Sequence, residues 1–366
     1  MTTADLRAQA AGPLRIVEAL GSIGEIAGLD GYQREMTTLV RALLAEGVDA
    51  LQISESVASV NDVLTTRLIH LAETELGPPP CAYAWLALGS QGRGEQVLSS
   101  DQDSAIAFDD VVVDSQGFDG HDDGHASGHA GATGVEYFPR LAELVVQALA
   151  RAGLPLCDGD YMATTWCRPI SELSSLFRGW VEMPRPDALV KAEVFMDVRP
   201  VHGDLGVDTL DHILVGGGSR GQFMVQMARE AVRFAPPLGI LGRLRARDST
   251  VDLKRGGIAA IVLLARLYGL AAGSSARTTL ERLEAGAAAG ALGRTGAANL
   301  AEVYGNLTAL RLRHQVDQIG AGVAPDNVIR LDELTEAQRS RLRDGMRVVR
   351  DIQGVTALRF ATHTVS

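Results

Sequence analysis

The chain has little cysteine. Its three, Cys81, Cys157 and Cys167, are scattered through 366 residues with no Cys-x-x-Cys pair, which argues against a disulfide framework and against a cysteine-based zinc site and fits buried thiols in a reducing compartment. Long hydrophobic runs are missing too. The most apolar stretch, Ile258 to Ala265, falls far short of the ~20 residues a membrane-crossing helix needs. The N-terminus, Met-Thr-Thr-Ala-Asp-Leu-Arg, has neither the basic start nor the continuous apolar segment of a secretion signal. A cytoplasmic protein with no membrane partner is expected. Positive charge is also in deficit, with 34 Lys and Arg against 45 Asp and Glu, a net charge of -11. Gripping a phosphate backbone takes a basic face, so nucleic acid is not an expected partner.

What is present is an ordinary globular composition, 46% hydrophobic and 22% charged, in a chain long enough for two or three domains with cores. Residues 1–76 predict a helical lead-in, because Ile53, Val57, Val60, Leu64, Leu68 and Leu71 recur at three and four up to Gly77 and Pro78-Pro79-Pro80. Residues 77–218 predict a unit of strands near 82–88, 101–108, 156–163 and 192–199, with an amphipathic helix at about 136–152. Inside it, residues 114–134 are rich in Gly, Asp and His and read as a mobile loop. His121, His125 and His129 are spaced at four, which aligns metal ligands only on a helix, and the glycines oppose one. From 219 to 366 the pattern is helical, over Gln222–Phe234, Val251–Ala272, Thr278–Ala289, Ala297–Ile319 and Glu336–Val355, the last with a capping box at Thr335 and Gln338. The whole predicts an α+β fold, a small mixed sheet flanked by helices with a C-terminal helical bundle.

The chemistry concentrates at 88–106. A buried strand, Ala82 to Leu88, runs into a turn at Gly89-Ser90, where exposed N–H groups and a hydroxyl make an anion cradle. Arg93 adds a guanidinium suited to phosphate, and Ser100 a further hydroxyl. Asp101 and Asp103 stand two apart on a predicted strand and so share a face, an arrangement suited to Mg²⁺ (or Mn²⁺) and substrate phosphates. Other glycine loops fit less well. A P-loop needs Gly-Lys-Ser/Thr, which Gly92-Arg93-Gly94-Glu95 does not supply, and the dinucleotide fingerprint needs its glycines in another order.

Gly89-Ser90, ten residues, then Asp101-Gln102-Asp103 resembles the signature of the DNA polymerase β-type nucleotidyltransferase superfamily. With Gly92-Arg93-Gly94-Glu95 it is similar to the N-terminal domain of PII uridylyltransferase, and more similar still to a group of bacterial nucleotidyltransferases in which that domain precedes a helical substrate-binding domain. Leu76-Gly77-Pro78-Pro79, Phe195 to Asp204, Val251-Asp252-Leu253-Lys254, Leu310 to Gln315 and Pro325-Asp326-Asn327 extend the likeness over residues 50 to 350. The superfamily prefers apolar neighbours for its acids, where this chain has Gln102 and Ser104. The resemblance implies two-metal-ion transfer of a nucleoside monophosphate from ATP or UTP to a hydroxyl, on a PII-like regulatory protein or a small molecule, with Gly89, Ser90, Arg93 and Ser100 on the nucleotide and Asp101 and Asp103 on the metals. It also implies a third carboxylate. Asp197 aligns with one, while Asp158 and Asp160 are rivals and a pairing of Asp197 with Arg199 is the plain alternative. Lys254 resembles the cation that related helical domains bring to the triphosphate; its alternative is a local pair with Asp252. Arg311 and Arg313 are weaker candidates of the same kind, and His314 reads as a core histidine. A homodimer through the helical segments is a further expectation. Two other functions stay open: a regulatory module that binds nucleotide without transferring it, and a helical scaffold for protein contacts.

Overall fold

The computed structural model describes residues 3–25, 29–110, 134–239, 244 and 249–362. The insertion with His121, His125 and His129 lies outside them, except that Gly134 opens a helix. Three helices come first, α1 (Thr3–Ser22), α2 (Tyr32–Ala45) and α3 (Ala50–Leu76). Asp49 caps α3 by accepting from the N–H groups of Leu51 and Gln52. The three-four stripe of α3 is buried from Ile53 to Leu68.

The sheet comprises β1 (Tyr83–Ala87), β2 (Ser104–Phe108), β3 (Cys167–Pro169) and β4 (Arg199–His202), in the order β3-β2-β1-β4. β1 runs antiparallel to β2 and β4, and β2 parallel to β3, so the sheet is mixed as expected. A single helical turn, α4 (Gly89–Gly92), follows β1; α5 (Gly134–Ala152) follows β2; α6 (Ile170–Glu182) and α7 (Pro186–Phe195) separate β3 from β4. Alternation along β1 divides the core. Tyr83 and Trp85 join Ile106, Phe108, α3 and α5 in one apolar cluster, and Ala84 and Leu86 join the opposite one with α6, α7 and the C-terminal helices. Both faces are covered, which is why all five residues of β1 are buried.

After α8 (Val207–Gly216) come α9 (Gly221–Arg233), α10 (Ala259–Ala271), α11 (Thr279–Ala288), α12 (Arg294–Gly320) and α13 (Glu336–Arg359). Both halves of the capping box at Thr335 and Gln338 form. No described helix is long and apolar enough to cross a membrane. Cys81, Cys157 and Cys167 are free and partly buried.

Three expected elements differ. The helix expected over Val251–Ala272 opens instead with β5 (Thr250–Asp252), which pairs with β6 (Val328–Arg330), then a π-turn over Lys254–Ile258 before α10. β-branched Thr250 and Val251 find a partner strand about eighty residues away, which helical periodicity cannot register. The strand expected near 192–199 is the end of α7 and a turn. Pro186 starts that helix, and Leu189, Ala192 and Phe195 bury one side of it, so packing overrides the β-propensity of Val194 and Phe195. The segment 156–163 forms no strand; it meets the β2 segment at an isolated bridge, Leu156 to Gln102, and where the N–H of Ser104 donates to the carbonyl of Tyr161 at 2.8 Å, because Asp158-Gly159-Asp160 turns the chain between them, Asp160 with φ of 59°.

Candidate active site

β1 delivers its last residue into the core, and the chain is pinned there when the N–H of Leu88 donates to the carbonyl of Asp103 at 2.9 Å. Gly89 then turns with φ of 51°, its Cα against the carboxylate of Asp103, so a side chain is barred both by conformation and by space. At Gly92 a Cβ would collide with the carbonyl oxygens of Asp197 and Ala87. Gly89 thus lets the turn close on Asp103, and Gly92 lets it close on the backbone at Asp197 and Ala87.

Asp101 and Asp103 lie in the extended lead-in to β2, with Gln102 turned the other way between them. Gln102 is 2% exposed. Its side-chain amide donates to the carbonyls of Leu154 (2.9 Å) and Val146 (3.3 Å), and its N–H to Pro155 at 2.9 Å. The Ser104 hydroxyl accepts from the N–H of Ala163 at 3.1 Å. The two polar residues that depart from the superfamily pattern therefore bind the acid-bearing segment to 154–163 and face away from the acids. Burial raises the pKa of the Asp103 carboxyl, neighbouring Asp101 adds to this, and a hydrogen bond from Cys157 with the charges of Lys254 and Arg93 counters it. Burial, then Asp103, pushes the Cys157 thiol up to about 11, so it stays a donor and not a thiolate. Two close carboxylates, one of them held up by burial, are a fitting oxygen set for a hard dication.

Lys254 reaches across 153 residues of sequence to place Nζ 3.3 Å from Oδ2 of Asp101. The local acid Asp252 is taken instead by Arg255, whose N–H donates to it at 3.0 Å. The π-turn, tied down by the β5–β6 ribbon, directs Lys254 over the sheet. Beneath it lies a cavity of about 210 Å³ whose lining includes Ser90, Arg93, Ser100, Lys254, Arg266 and Arg311. The Ser100 hydroxyl accepts from the N–H of Val97 at 2.8 Å. Arg311 is held by Asn327 at 2.5 Å, and burial lowers its pKa to about 10, which leaves it a cation at neutral pH. Four cationic side chains line this cavity together with Glu95 and Glu193. Arg313 is exposed, and His314 is a partly buried partner of Asp326 at 3.0 Å rather than a core residue.

Asp197 is differently placed. It is fully buried in the turn after α7, and its two oxygens accept from Arg93, Arg266 and Arg282. Burial alone would raise its pKa, and Arg266, Arg93 and Arg282 together outweigh this and hold it well below the carboxylate range. In this structure both oxygens are taken up by guanidiniums, the form of an ion-pair anchor. Arg199, its expected neighbour in the plain alternative, pairs with Asp62 at 2.7 Å. Arg93 also donates to Glu95 at 2.5 Å, and Glu95 accepts from the N–H of Thr279 (2.6 Å) and the hydroxyl of Tyr304 (2.8 Å). The glycine turn is thus bolted to α10, α11 and α12 through buried charge. Asp158 and Asp160 are exposed in their turn.

Sequence reasoning missed Glu193. It lines the cleft, its Oε1 is buried with no hydrogen-bond partner among the described residues, and burial pushes its carboxyl up to about 7. Nothing in the string Lys191-Ala192-Glu193-Val194 marks it, since its meaning depends on which helix face meets the cleft.

Residues 34–187 match the family model described as putative nucleotidyltransferase DUF294, and residues 221–360 match that of the putative nucleotidyltransferase substrate binding domain. The two together span most of the chain. A comparison with curated proteins finds no match.

Proposed function

Since the chain belongs to this nucleotidyltransferase family and carries its substrate-binding domain, we propose that it transfers a nucleoside monophosphate from ATP or UTP to a hydroxyl of a protein or small-molecule acceptor. The observation that carries this reading is the meeting of the motif's two halves, with Gly89 packed on the carboxylate of Asp103. Asp101 and Asp103 are the residues that would hold Mg²⁺, or Mn²⁺ in its place, and the metal supplies charge stabilisation on the attacking and leaving oxygens. Ser90 and the N–H groups of its turn bind the outer phosphates, with Lys254 and Arg311 on the opposite wall. Lys254 exchanges its contact with Asp101 for one with phosphate as nucleotide enters. A bond forms between the acceptor oxygen and the α-phosphorus, the bond from the α-phosphorus to the bridging oxygen breaks, and pyrophosphate leaves. Glu193 accepts the proton of the acceptor hydroxyl, a task suited to a carboxyl poised near neutrality. Asp197 keeps Arg93 and the turn in register.

A PII-like regulatory protein is the acceptor that the likeness to PII uridylyltransferase favours. The test supplies α-³²P-labelled ATP or UTP, Mg²⁺ and acceptor-bearing lysate to the wild type and to Asp101→Asn and Asp103→Asn. Label is expected on an acceptor only with the wild type. Label that survives both substitutions would overturn the assignment of the acids, and nucleotide binding with no transfer to any acceptor would favour the regulatory module.

A further inference from the structure

Three groups with no part in the nucleotide cleft meet at the edge of the sheet. His70 and Glu73 stand one turn apart on α3, and His202 is the last residue of the edge strand β4. Their ligand atoms all lie within 4.8 Å of one another. Nε2 of His202 is 3.9 Å from Oε1 of Glu73. The rings of His70 and His202 meet edge to face with centroids 5.3 Å apart. Glu73 is already oriented, because the hydroxyl of Tyr83 donates to its Oε1 at 2.6 Å and leaves Oε2 unused by that bond, while the Tyr83 ring lies against His202.

We propose that His70, Glu73 and His202 form a binding site for a borderline divalent ion of the Zn²⁺ class, separate from the site of Asp101 and Asp103. Two imidazole nitrogens and one carboxylate oxygen are a frequent zinc set, with a fourth position left for water. The same set is a poor one for Mg²⁺, which asks for oxygen ligands. At Zn–N distances of about 2.0 Å, tetrahedral ligand atoms lie roughly 3.3 Å apart. Closing from 4.8 Å is therefore a matter of about 1.5 Å, within reach of a side-chain rotation of exposed His70. Tyr83 supplies the hydrogen bond that ligating carboxylates commonly accept from outside the coordination sphere.

The position of the site gives it a consequence. α3 also carries Asp62, which accepts from Arg199 at 2.7 Å and from Gln91 of the glycine turn at 3.0 Å. An ion joining His70 and Glu73 to His202 clips this helix to β4, next to the strand that leads into the turn. The inference stands whether or not the nucleotidyl transfer does.

The experiment titrates the chelator-treated full chain with Co²⁺ and follows visible d–d absorption, then adds Zn²⁺. One equivalent of Co²⁺ is expected to give the bands of a four-coordinate nitrogen and oxygen site, and Zn²⁺ to displace them. His70→Ala, on the exposed helix surface where folding is not at stake, is expected to lose the bands. Asp101→Asn and the triple change of His121, His125 and His129 to Ala are expected to keep them. Thermal melts add a second readout, with Zn²⁺ raising the midpoint of the wild type and not of His70→Ala. No absorption with the wild type, or bands that survive His70→Ala, would overturn the proposal.

Discussion

Asp197→Asn separates the two roles open to this residue. The substitution keeps shape and removes one negative charge from a site where three guanidiniums converge. Of the two carboxylates that accept a hydrogen bond from Arg93 among the described residues, Glu95 would remain, and it is shared with Thr279 and Tyr304. Breaking a buried ion pair by removing one partner costs about 3–5 kcal/mol, because the surviving charge stays desolvated. Against a total stability of roughly 5–15 kcal/mol, that is a large share. With a urea slope of about 3 kcal/mol per molar, the steep end of the usual range as suits a chain of this size, the unfolding midpoint of Asp197→Asn is expected to fall by on the order of 1–2 M. Asp101→Asn, which removes a half-exposed charge paired at 3.3 Å, is expected to leave the unfolding free energy within about 0.5 kcal/mol of wild type. The assay is urea denaturation of both variants followed by tryptophan fluorescence, with Mn²⁺–nucleotide binding measured on the folded fraction. The anchoring role would be refuted if Asp197→Asn unfolded like the wild type and yet lost metal-dependent nucleotide binding, the signature of a third metal ligand.

Three further outcomes follow from the geometry. Lys254→Ala should leave folding unchanged, its pair being half-exposed, and raise the nucleotide KM roughly 10- to 100-fold through loss of a charged contact; an unchanged KM would remove Lys254 from the cleft's function. Glu193 has its carboxyl raised from 4.5 to about 7 by burial, so the folded state holds a proton that the unfolded chain has released, and this contribution to stability is full below about pH 4.5 and lost as pH rises through 7. Glu193→Gln cannot ionise and should therefore melt higher than the wild type at pH 8 by on the order of 3 kcal/mol and alike at pH 4, while parallel pH profiles in calorimetry would show Glu193 to be solvated. Gly92→Ala should destabilise by about 1–3 kcal/mol or more, because its methyl has no room beside the carbonyl of Asp197; a wild-type thermal midpoint would mean the turn can move.

Legibility in the sequence followed the range of each interaction. The stripe from Ile53 to Leu68, the capping box at Thr335 and the run of Tyr83 to Ala87 depend on neighbours within a few residues, and each appears as expected. So does the mixed sheet with its C-terminal helices. The glycine turn and the acid pair were legible as a motif, because close approach of backbone to carboxylate demands glycine at a fixed place. The setting of Asp197 was not, since its arginines come from positions 93, 266 and 282. Gln102 and Ser104 look like departures until the structure shows what they bind, the carbonyls of Leu154 and Val146 and the N–H of Ala163. β5 is three residues long and owes its existence to Val328–Arg330, beyond any local pattern.

The most direct test needs no acceptor. Mn²⁺ binding followed by electron paramagnetic resonance, with and without a non-hydrolysable ATP or UTP analogue, reports whether metal and nucleotide meet at the acid pair. Nucleotide is expected to tighten Mn²⁺ binding to the wild type, and both Asp101→Asn and Asp103→Asn, folded by circular dichroism, are expected to lose that coupling. Undiminished coupling in the two variants would contradict a catalytic cleft built on Gly89, Asp101 and Asp103.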